Sequence, residues 1–443
     1  IDFLGFALAD AVTSKLTYLD SVTVRPSAYV QKYRDAVPDP KQAGTDLGVD
    51  HLLLGTMIAD GNTLRISVQL VDLARDRVQW QDLFDAKLDN LLGVQDEIVS
   101  RLVDGMKVTL SPAEASHLKA DVPKDREAFD LFLRARGEPA TADGDRRAIG
   151  LLDQSIRKDA QFAPAWNSLS QRQYDLALYA GGTPADYERA RENRKKALEV
   201  NPDLTEALYE TGIHLVESGQ HEEAYRTFKR RLAVKPSDAW THFAMSYLFR
   251  YTGLLEEAAH EAERAIAIDP QNRPFRSGAR VFLYSGEFDR MAPFLALDDG
   301  SWADYNRMER EFSRGRADEA RGFARKVIAA DPNGTLSDYS RAALFVLEGD
   351  NSSARKIYEA RLKQLSPDAE LLFNEARYFA WIGDYTRALE MMKRATDGGF
   401  FCYQAYENDI RVKGLREQPG YPALHDEAKR KSDAFRVFVE ANP

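Results

Sequence analysis

The sequence predicts a small α+β domain at the amino terminus, followed by a long all-α array of helix pairs. The first observation is a set of evenly spaced prolines, at Pro202, Pro236 and Pro270. The second is a glycine followed five residues later by an alanine, a pair that recurs five times. The third is Asp60-Gly61, which joins two strand-like runs near the start. A period of about 34 residues is typical of helix–turn–helix units that bury their apolar faces by stacking on copies of themselves.

Length and composition narrow the class of protein. The 443 residues exceed what one hydrophobic core usually serves, which predicts about two or three domains. The chain has 60 basic and 70 acidic residues, a formal net charge of −10 and no long basic block, so a nucleic-acid partner is not expected. The single cysteine, Cys402, excludes an internal disulfide and a thiolate metal cluster. No apolar run reaches the roughly 18 residues of a membrane span.

Residues 1–118 are predicted to form the α+β domain, with a mostly antiparallel sheet in a three-layer-like arrangement. Apolar and polar residues alternate over 64–71, and the runs 52–58 and 78–84 are also strand-like, which predicts three strands. Asp60-Gly61 favours a hairpin between the first two, because such turns need positive φ. Helices are expected at about 4–19, 41–48 and 91–106, and a further short strand at 21–25.

Residues 129–402 are predicted to contain about eight helix pairs, irregular at 273–300. A glycine closes the first helix of a pair, since the left-handed conformation is least costly for glycine. An alanine follows where the two helices cross closely and a larger side chain would not fit. Proline then ends the second helix because it lacks the N–H donor. The glycine–alanine pairs are Gly219–Ala224, Gly253–Ala258, Gly315–Ala320, Gly349–Ala354 and Gly383–Ala388.

These features resemble the tetratricopeptide repeat family. The resemblance implies a right-handed solenoid with a concave groove that binds polypeptides. The fifth unit is short and carries Met291 and Pro293 in its second helix, so a local irregularity is expected there. The candidate units are 129–162, 163–204, 205–238, 239–272, 273–300, 301–334, 335–368 and 369–402.

The remaining segments are predicted to connect and cap the array. Residues 119–128 are expected to be a linker. Residues 403–443 are expected to form a capping segment with one helix over 421–439, because the last pair of an array would otherwise expose an apolar face. The basic residues of an outer helix are interpreted as a solvated face; they are Arg226, Lys229, Arg230, Arg231 and Lys235.

A second resemblance concerns the amino-terminal domain. Its sequence includes Gln69-Leu70-Val71-Asp72 and Gln95-Asp96-Glu97-Ile98, after Gly48-Val49 and Leu52-Leu53-Leu54-Gly55. These runs are similar to an α/β module that bacteria place before tetratricopeptide arrays in serine/threonine kinases, adenylate cyclases and winged-helix regulators. The module is distantly similar to the amino-terminal domain of Tol-type proteins. That family opens with a strand absent here, so we expect that residues precede Ile1 or that the sheet has an unfilled edge.

Motifs for chemistry are not found in the sequence. It contains no Gly-x-Gly-x-x-Gly loop, no Gly-x-Ser-x-Gly, no His-Glu-x-x-His and no kinase catalytic-loop set. The seven histidines are scattered. We therefore expect no catalytic residues, no metal site and no cofactor in this chain.

Nine side chains, which we call the aromatic lane, are the candidate binding residues. In the first helix of unit 239–272, aromatic residues spaced by three and four form a stripe opposite the one that packs inside the pair. By resemblance to the family, this stripe lines the concave groove. Two interpretations stay open: packing between neighbouring first helices, or a peptide-binding surface of aromatic and arginine hot spots. The lane comprises Tyr209, Trp240, Phe243, Tyr247, Arg250, Tyr251, Trp302, Tyr305 and Phe312.

The functional hypothesis is a non-enzymatic scaffold or sensor region of a bacterial signalling protein that binds a polypeptide in the repeat groove. Homodimerisation through the α/β module is a further expectation. One alternative is an envelope assembly or secretion accessory factor, and a weaker one is an enzyme with a site in the α/β module. The compartment stays open between the cytoplasm and the periplasmic part of a membrane-anchored protein.

Overall fold

A computed structural model describes residues 2–25, 27–30, 33, 39–61, 63–87, 91–119, 121–139, 141–180, 184–362 and 368–443. The contacts divide the chain into two compact units. The amino-terminal unit extends to Thr211 and includes Arg230–Asp238, and the carboxy-terminal unit comprises Gly212–Lys229 and Ala239–Pro443. No helix in the described ranges combines the length and the apolar composition that a membrane span requires.

The amino-terminal unit begins with one three-stranded antiparallel sheet of order β1-β2-β3. Side chains of the middle strand alternate, so that one face is buried and the other is partly open to solvent. The elements before the repeats are α1 (Asp2–Leu16), α2 (Ser27–Val30), α3 (Pro40–Leu47), β1 (His51–Asp60), β2 (Thr63–Asp72), β3 (Arg77–Lys87), α4 (Leu91–Met106) and α5 (Pro112–Leu118).

The short strand predicted at 21–25 is wrong. Residues 22–25 have no strand structure. The segment is instead held by a side chain, because the Arg25 guanidinium donates hydrogen bonds to the carbonyl oxygens of Leu47, at 2.7 Å, and Gly48, at 2.8 Å. The small α+β domain is otherwise confirmed, with the hairpin turn at Gly61, whose φ is 60°.

Helices of the α/β module and of the first helix pairs share one hydrophobic core. Leu8 of α1, Ile66 of β2 and Leu102 of α4 belong to the same buried cluster as Phe132 and Phe162. An ion pair between the buried Asp10 and the partly buried Arg136 lies in the same unit. The division at residue 118 and the linker at 119–128 stay predictions. The helices here are α6 (Arg126–Gly137), α7 (Ala142–Lys158), α8 (Ala163–Ala180) and α9 (Pro184–Val200).

The helix-pair array is confirmed by its turns and crossings. All five predicted glycines have φ between 75° and 85°, and the five predicted alanines are buried. The helices that follow are α10 (Thr205–Glu217), α11 (His221–Val234), α12 (Ala239–Thr252), α13 (Leu255–Ile268), α16 (Ser301–Ser313), α17 (Ala317–Ala330), α18 (Thr335–Leu347), α19 (Asn351–Leu362), α20 (Ala369–Trp381) and α21 (Tyr385–Asp397).

The segment 273–300 departs from this pattern. Its first half is a 3-10 helix, Arg273–Gly278, that continues into α14 (Ala279–Ser285). Its second half is a 3-10 turn, Phe288–Met291, followed by the four-residue α15 (Ala292–Leu295). Met291 occupies the position five residues after a positive-φ glycine, where the other pairs have alanine, and it is fully buried. The larger side chain accounts for a shorter and less regular second helix.

The carboxy-terminal segment 403–443 contains α22 (Tyr403–Asn408), two 3-10 turns and α23 (Tyr421–Ala441). Within the carboxy-terminal unit, α23 contacts helices from both ends of the array. The Tyr225 hydroxyl of α11 donates to the Asn442 carbonyl at 2.9 Å, and Arg436 lies 2.6 Å from Glu257 of α13. The Lys431 ammonium donates to the carbonyl of Thr396 in α21 at 3.1 Å. The carboxy-terminal helix therefore joins the early and late helix pairs of this unit.

Candidate functional site

Helix α20 packs against the first helices of earlier pairs in the carboxy-terminal unit, and we call the surface that α12, α14, α16 and α18 present to it the inner face. The helix begins where the Asp368 side chain accepts a hydrogen bond from the backbone N–H of Leu371, at 2.8 Å, which satisfies one of the free donors of the first turn. Every residue from Leu372 to Ala380 is buried. Side chains of α20 contact the first helices of four earlier pairs, α12, α14, α16 and α18.

The amino-terminal end of α20 lies in a basic environment. Glu370 lies 2.8 Å from the Arg250 guanidinium and accepts a 2.8 Å hydrogen bond from the Tyr284 hydroxyl. Burial opposes ionisation of Glu370, but the Arg250 and Arg280 guanidinium groups outweigh it and lower the pKa of that carboxyl. Arg280 also donates to the Asn374 amide oxygen at 3.3 Å. This end of the inner face therefore stabilises a carboxylate.

The Asp368 carboxylate adds a second contact at the same end. The Tyr251 hydroxyl donates to it at 2.7 Å, and the hydroxyls of Tyr247 and Tyr251 are 2.7 Å apart. Burial raises the pKa of Asp368, and the nearby Glu370 charge raises it further.

The carboxy-terminal end of α20 holds a buried cluster of four charges. The Arg377 guanidinium lies 2.6 Å from Glu309 and 3.0 Å from Asp409. The Arg411 guanidinium donates two hydrogen bonds to Glu309, at 2.8 and 2.9 Å. Burial disfavours the charged carboxylate of Asp409, yet the Arg411 and Arg377 charges hold its pKa at about 2. Two cations thus balance two carboxylates away from water.

Tyrosines line the rest of the inner face. We call the part of the inner face that contacts α20 the seat of α20. The rings of Tyr339, Tyr358 and Tyr378 form a cluster in which the Tyr378 centroid lies 5.1 Å from each of the other two, and those two lie 6.5 Å apart. Its hydroxyl is hydrogen-bonded to that of Tyr305. The Tyr339 hydroxyl donates to Glu375, and burial raises the pKa of this carboxyl to about 7.

Five of the nine lane residues surround α20. Tyr247, Arg250, Tyr251 and Tyr305 make the polar contacts described above. The Phe312 ring packs against Trp381 with centroids 4.4 Å apart. The structure thus brings these five side chains together on one surface, and the chain's own last repeat covers that surface.

The other four lane residues lie elsewhere. Trp240 and Phe243 pack on Phe275 of the next helix pair, with centroids 5.2 and 4.8 Å apart, and Trp302 lies under the Arg276 guanidinium. These contacts match the interpretation of packing between neighbouring first helices.

Tyr209 belongs to the amino-terminal unit. It lies 5.2 Å under the Arg231 guanidinium, and burial raises its pKa. None of the nine lane side chains is exposed, so peptide binding by the lane stays a prediction.

The solvated interpretation of the basic outer helix is wrong for two of its residues. Arg231 pairs with Asp238 at 2.7 Å and is buried. The Lys235 ammonium donates to the carbonyl oxygens of Thr17, at 2.9 Å, and Val22, at 3.2 Å. Burial lowers the pKa of Lys235. Both residues are occupied by tertiary contacts within the amino-terminal unit.

Sequence reasoning missed the buried charges, among them Glu309, Arg377 and Arg411. Their signal in the sequence is weak, because a single charge on a helix usually lies on a solvated face. No group of three or more His, Cys, Asp and Glu side chains arranged to hold a metal ion occurs in the described part of the chain.

Comparison with known proteins gives distant likenesses. No protein-family model matches the chain. It is similar to "Putative adenylate cyclase 3" of Rhizobium meliloti (strain 1021), with 26% identity over 202 residues, which is 44% of this chain and 33% of that protein. The chain therefore spans about a third of the length of this curated relative.

Two solved structures are similar in fold. PilW, described as a type IV pilus biogenesis factor, is 17% identical, with a TM-score of 0.40 over 48% of this chain and 94% of that one. A tetratricopeptide repeat protein from Parabacteroides merdae is 17% identical, with a TM-score of 0.39 over 60% of this chain and 98% of that one. The regular proline spacing, the positive-φ glycines and the buried alanines of this chain are features that its helix pairs share with tetratricopeptide-type repeats.

Proposed function

We propose that this chain is a non-catalytic, protein-binding region of a bacterial signalling protein. The observation that carries the proposal is the likeness of 202 residues to a protein named as an adenylate cyclase, of which the chain spans only 33%. A region of this size, built largely of helix-pair repeats, offers extended surfaces to polypeptides. The signalling activity itself would belong to another part of such a protein or to its partner.

The partner is a polypeptide that binds at the aromatic lane. Support comes from the chemistry of the five lane residues around α20, since tyrosine and arginine in a desolvated centre commonly dominate binding energy. Tyr247 is half-buried and lies beside Arg250 and Tyr251, so we use it to report an approaching partner.

Site-specific photocrosslinking tests this proposal. A benzophenone amino acid replaces Tyr247 in the full chain, and a matched variant carries it at Tyr174, which is 38% exposed in the amino-terminal unit. We expect one polypeptide to be captured at position 247 and not at 174, and the purified polypeptide to bind the unmodified chain with a Kd of about 1 μM or lower. Equal capture at both positions, or no binding by the purified polypeptide, would refute binding at the lane.

An assay for nucleotide cyclisation distinguishes the proposed non-catalytic role from the enzymatic alternative. Purified chain with ATP and Mg²⁺ or Mn²⁺ is expected to form no cyclic AMP, and turnover by the chain would contradict the non-catalytic assignment. The envelope assembly role stays a prediction that no contact of the structure favours.

Homodimerisation through the α/β module is the second part of the proposal. Strand β1 lies at one edge of the described sheet and has no charged residue between Leu52 and Ala59. Its Ile58 side chain is 66% exposed. Strand β3, at the other edge, carries Arg77, Asp82, Asp85 and Lys87. Charges protect an edge strand from pairing with other chains, so β1 is the edge suited to a second copy.

Sedimentation of matched variants tests the dimer. We expect a dimer for the native chain, a monomer for Ile58→Lys, and an unchanged dimer for Leu83→Lys, which places a charge on a 53% exposed residue of β3. A native chain that sediments as a monomer at all concentrations, or equal effects of both substitutions, would exclude β1 as the interface.

A further inference from the structure

The contacts between α20 and the inner face have opposite charge at their two ends. Arg250 and Arg280 meet Glu370 near the start of the helix. Glu309 meets Arg377 near its end. Glu370 and Arg377 are seven residues apart, which is about two helical turns or roughly 10 Å along one face. The inner face therefore selects a helix by sequence and also by direction, because a reversed helix would bring like charges together.

The chemistry of this seat differs from that of the helix pairs themselves. Within the five pairs that have the glycine–alanine spacing, the crossing is formed by an alanine that is 0 or 1% exposed, as at Ala258, Ala320 and Ala388. The surface on which α20 packs buries ionised and hydroxyl groups beside ring contacts such as that of Phe373 with Tyr284. Buried ion pairs gain little net stability compared with apolar contacts of equal volume. The polar contacts therefore determine which helix fits this surface, and in which direction, more than they add stability.

We propose that the surface formed by α12, α14 and α16 is a binding site for an α-helical segment that carries a carboxylate and a guanidinium two turns apart, and that α20 is its resident occupant. This inference rests on the proposed protein-binding function and specifies the chemistry of the partner. A partner helix with the pattern of Glu370 and Arg377 would compete with α20 for Arg250, Arg280 and Glu309.

The experiment offers the resident helix in trans. The probe is a fluorescein-labelled peptide with the sequence of residues 368–381, and its control is the same peptide with the acid and the base exchanged, Glu370→Arg and Arg377→Glu. Both are titrated against three full-length chains and followed by anisotropy. The chains are the native protein, Glu370→Gln, which weakens the resident contact with Arg250, and Glu390→Gln, which removes an exposed carboxylate on the outer helix of the same pair.

We expect Glu370→Gln to bind the native-sequence peptide about tenfold more tightly than the native chain does, and Glu390→Gln to behave as the native chain. The exchanged peptide should bind none of them. Equal affinity for both peptides, or no gain in a Glu370→Gln chain that keeps its far-ultraviolet circular dichroism, would overturn the inference.

A second variant and a displacement measurement cover the cases in which Glu370→Gln does not fold or a different partner binds. If Glu370→Gln does not fold, Asp368→Asn removes only the resident carboxylate that accepts from the Tyr251 hydroxyl, leaves the α12 surface intact and is expected to give a smaller gain in the same direction. If that variant does not bind the native-sequence peptide more tightly than the native chain does, the inference is likewise overturned. If a partner is captured at position 247 but the native-sequence peptide does not displace it, the protein-binding function stands and the charged-helix recognition is refuted.

Discussion

Replacing Arg377 by methionine tests whether the buried charge cluster holds the carboxy-terminal unit together. The side chain is 0% exposed, so water cannot compensate the carboxylates that it leaves behind. Its guanidinium lies 2.6 Å from Glu309 and 3.0 Å from Asp409. The substitution leaves Arg411 to neutralise two carboxylates, whereas the hydrocarbon part of the side chain is largely retained.

The expected loss follows from two independent considerations. Removing one partner of a buried ion pair lowers the free energy of unfolding by about 3–5 kcal/mol. Burial opposes ionisation of Asp409, but Arg411 and Arg377 hold its pKa at about 2 instead of 3.8, which corresponds to roughly 2 kcal/mol from the two guanidinium groups together. Glu309 loses a comparable contact. A total near 3 kcal/mol is about a fifth to three fifths of a typical domain's stability.

The sign of the pH dependence is also defined. Because the folded-state pKa of Asp409 is lowered, its contribution is present above about pH 4 and is lost as the pH falls towards about 2. The difference between the native chain and Arg377→Met should therefore be largest near neutral pH and should shrink below about pH 4.

Urea unfolding provides the assay. Tryptophan fluorescence reports on the seat directly, since Trp381 packs 4.4 Å from Phe312, and hydrogen exchange of the α20 amides gives an independent local measure. The double variant Arg377→Met, Glu309→Gln should recover at least half of the loss, because it no longer buries an uncompensated charge. A loss below about 1 kcal/mol, the range of a surface pair, or no recovery in the double variant, would refute the reasoning.

Three further predictions concern other parts of the chain. Burial raises the pKa of Glu375 to about 7, so the stabilising contribution of its protonated form is lost as the pH rises from about 4.5 through 7. Glu375→Gln should therefore be more stable than the native chain in urea unfolding above pH 7. Equal stability there would contradict the shift. Gly315→Ala should destabilise the carboxy-terminal unit by about 1 kcal/mol, because φ of Gly315 is 76°. Gly322→Ala, inside α17 with open space around it, should instead stabilise the unit by up to about 1 kcal/mol. Thermal melting measures both changes, and a difference of the opposite sign would exclude this account. Asp10→Asn removes the charge that pairs with the partly buried Arg136 and should lower the free energy of unfolding of the amino-terminal unit by about 2 kcal/mol. Hydrogen exchange of α1 and α6 measures this loss, and unchanged protection would show that the pair is dispensable.

The parts of the fold that sequence reasoning predicted are those governed by local constraints. A glycine that must adopt positive φ, or an alanine at a helix crossing, leaves the same mark in every repeat. Gly253 and Ala258 could therefore be assigned without knowledge of any distant residue, and the structure confirms both.

The candidate site depends on contacts between residues distant in the chain. Glu309 and Arg411 are 102 residues apart, and neither has a feature that distinguishes it from a solvated charge. Lys235 shows the same difficulty, because its burial results from the carbonyl groups of Thr17 and Val22, far earlier in the chain. The aromatic spacing around Tyr251 did indicate a contact surface, either for neighbouring helices or for a peptide. Only the tertiary structure shows that the resident contact is Asp368.

The core that continues from α1 and β2 into α6 and α8 has a consequence for chimeric proteins. A fusion that transplants the α/β module by cutting at residue 118 would separate Leu8 and Leu102 from Phe132 and Phe162, which belong to the same cluster. Both fragments would then expose apolar surface and tend to aggregate. An exchange between related proteins that carries α6, α7 and α8 along with the module keeps these faces matched, so the unit of transplantation is larger than the α/β fold alone.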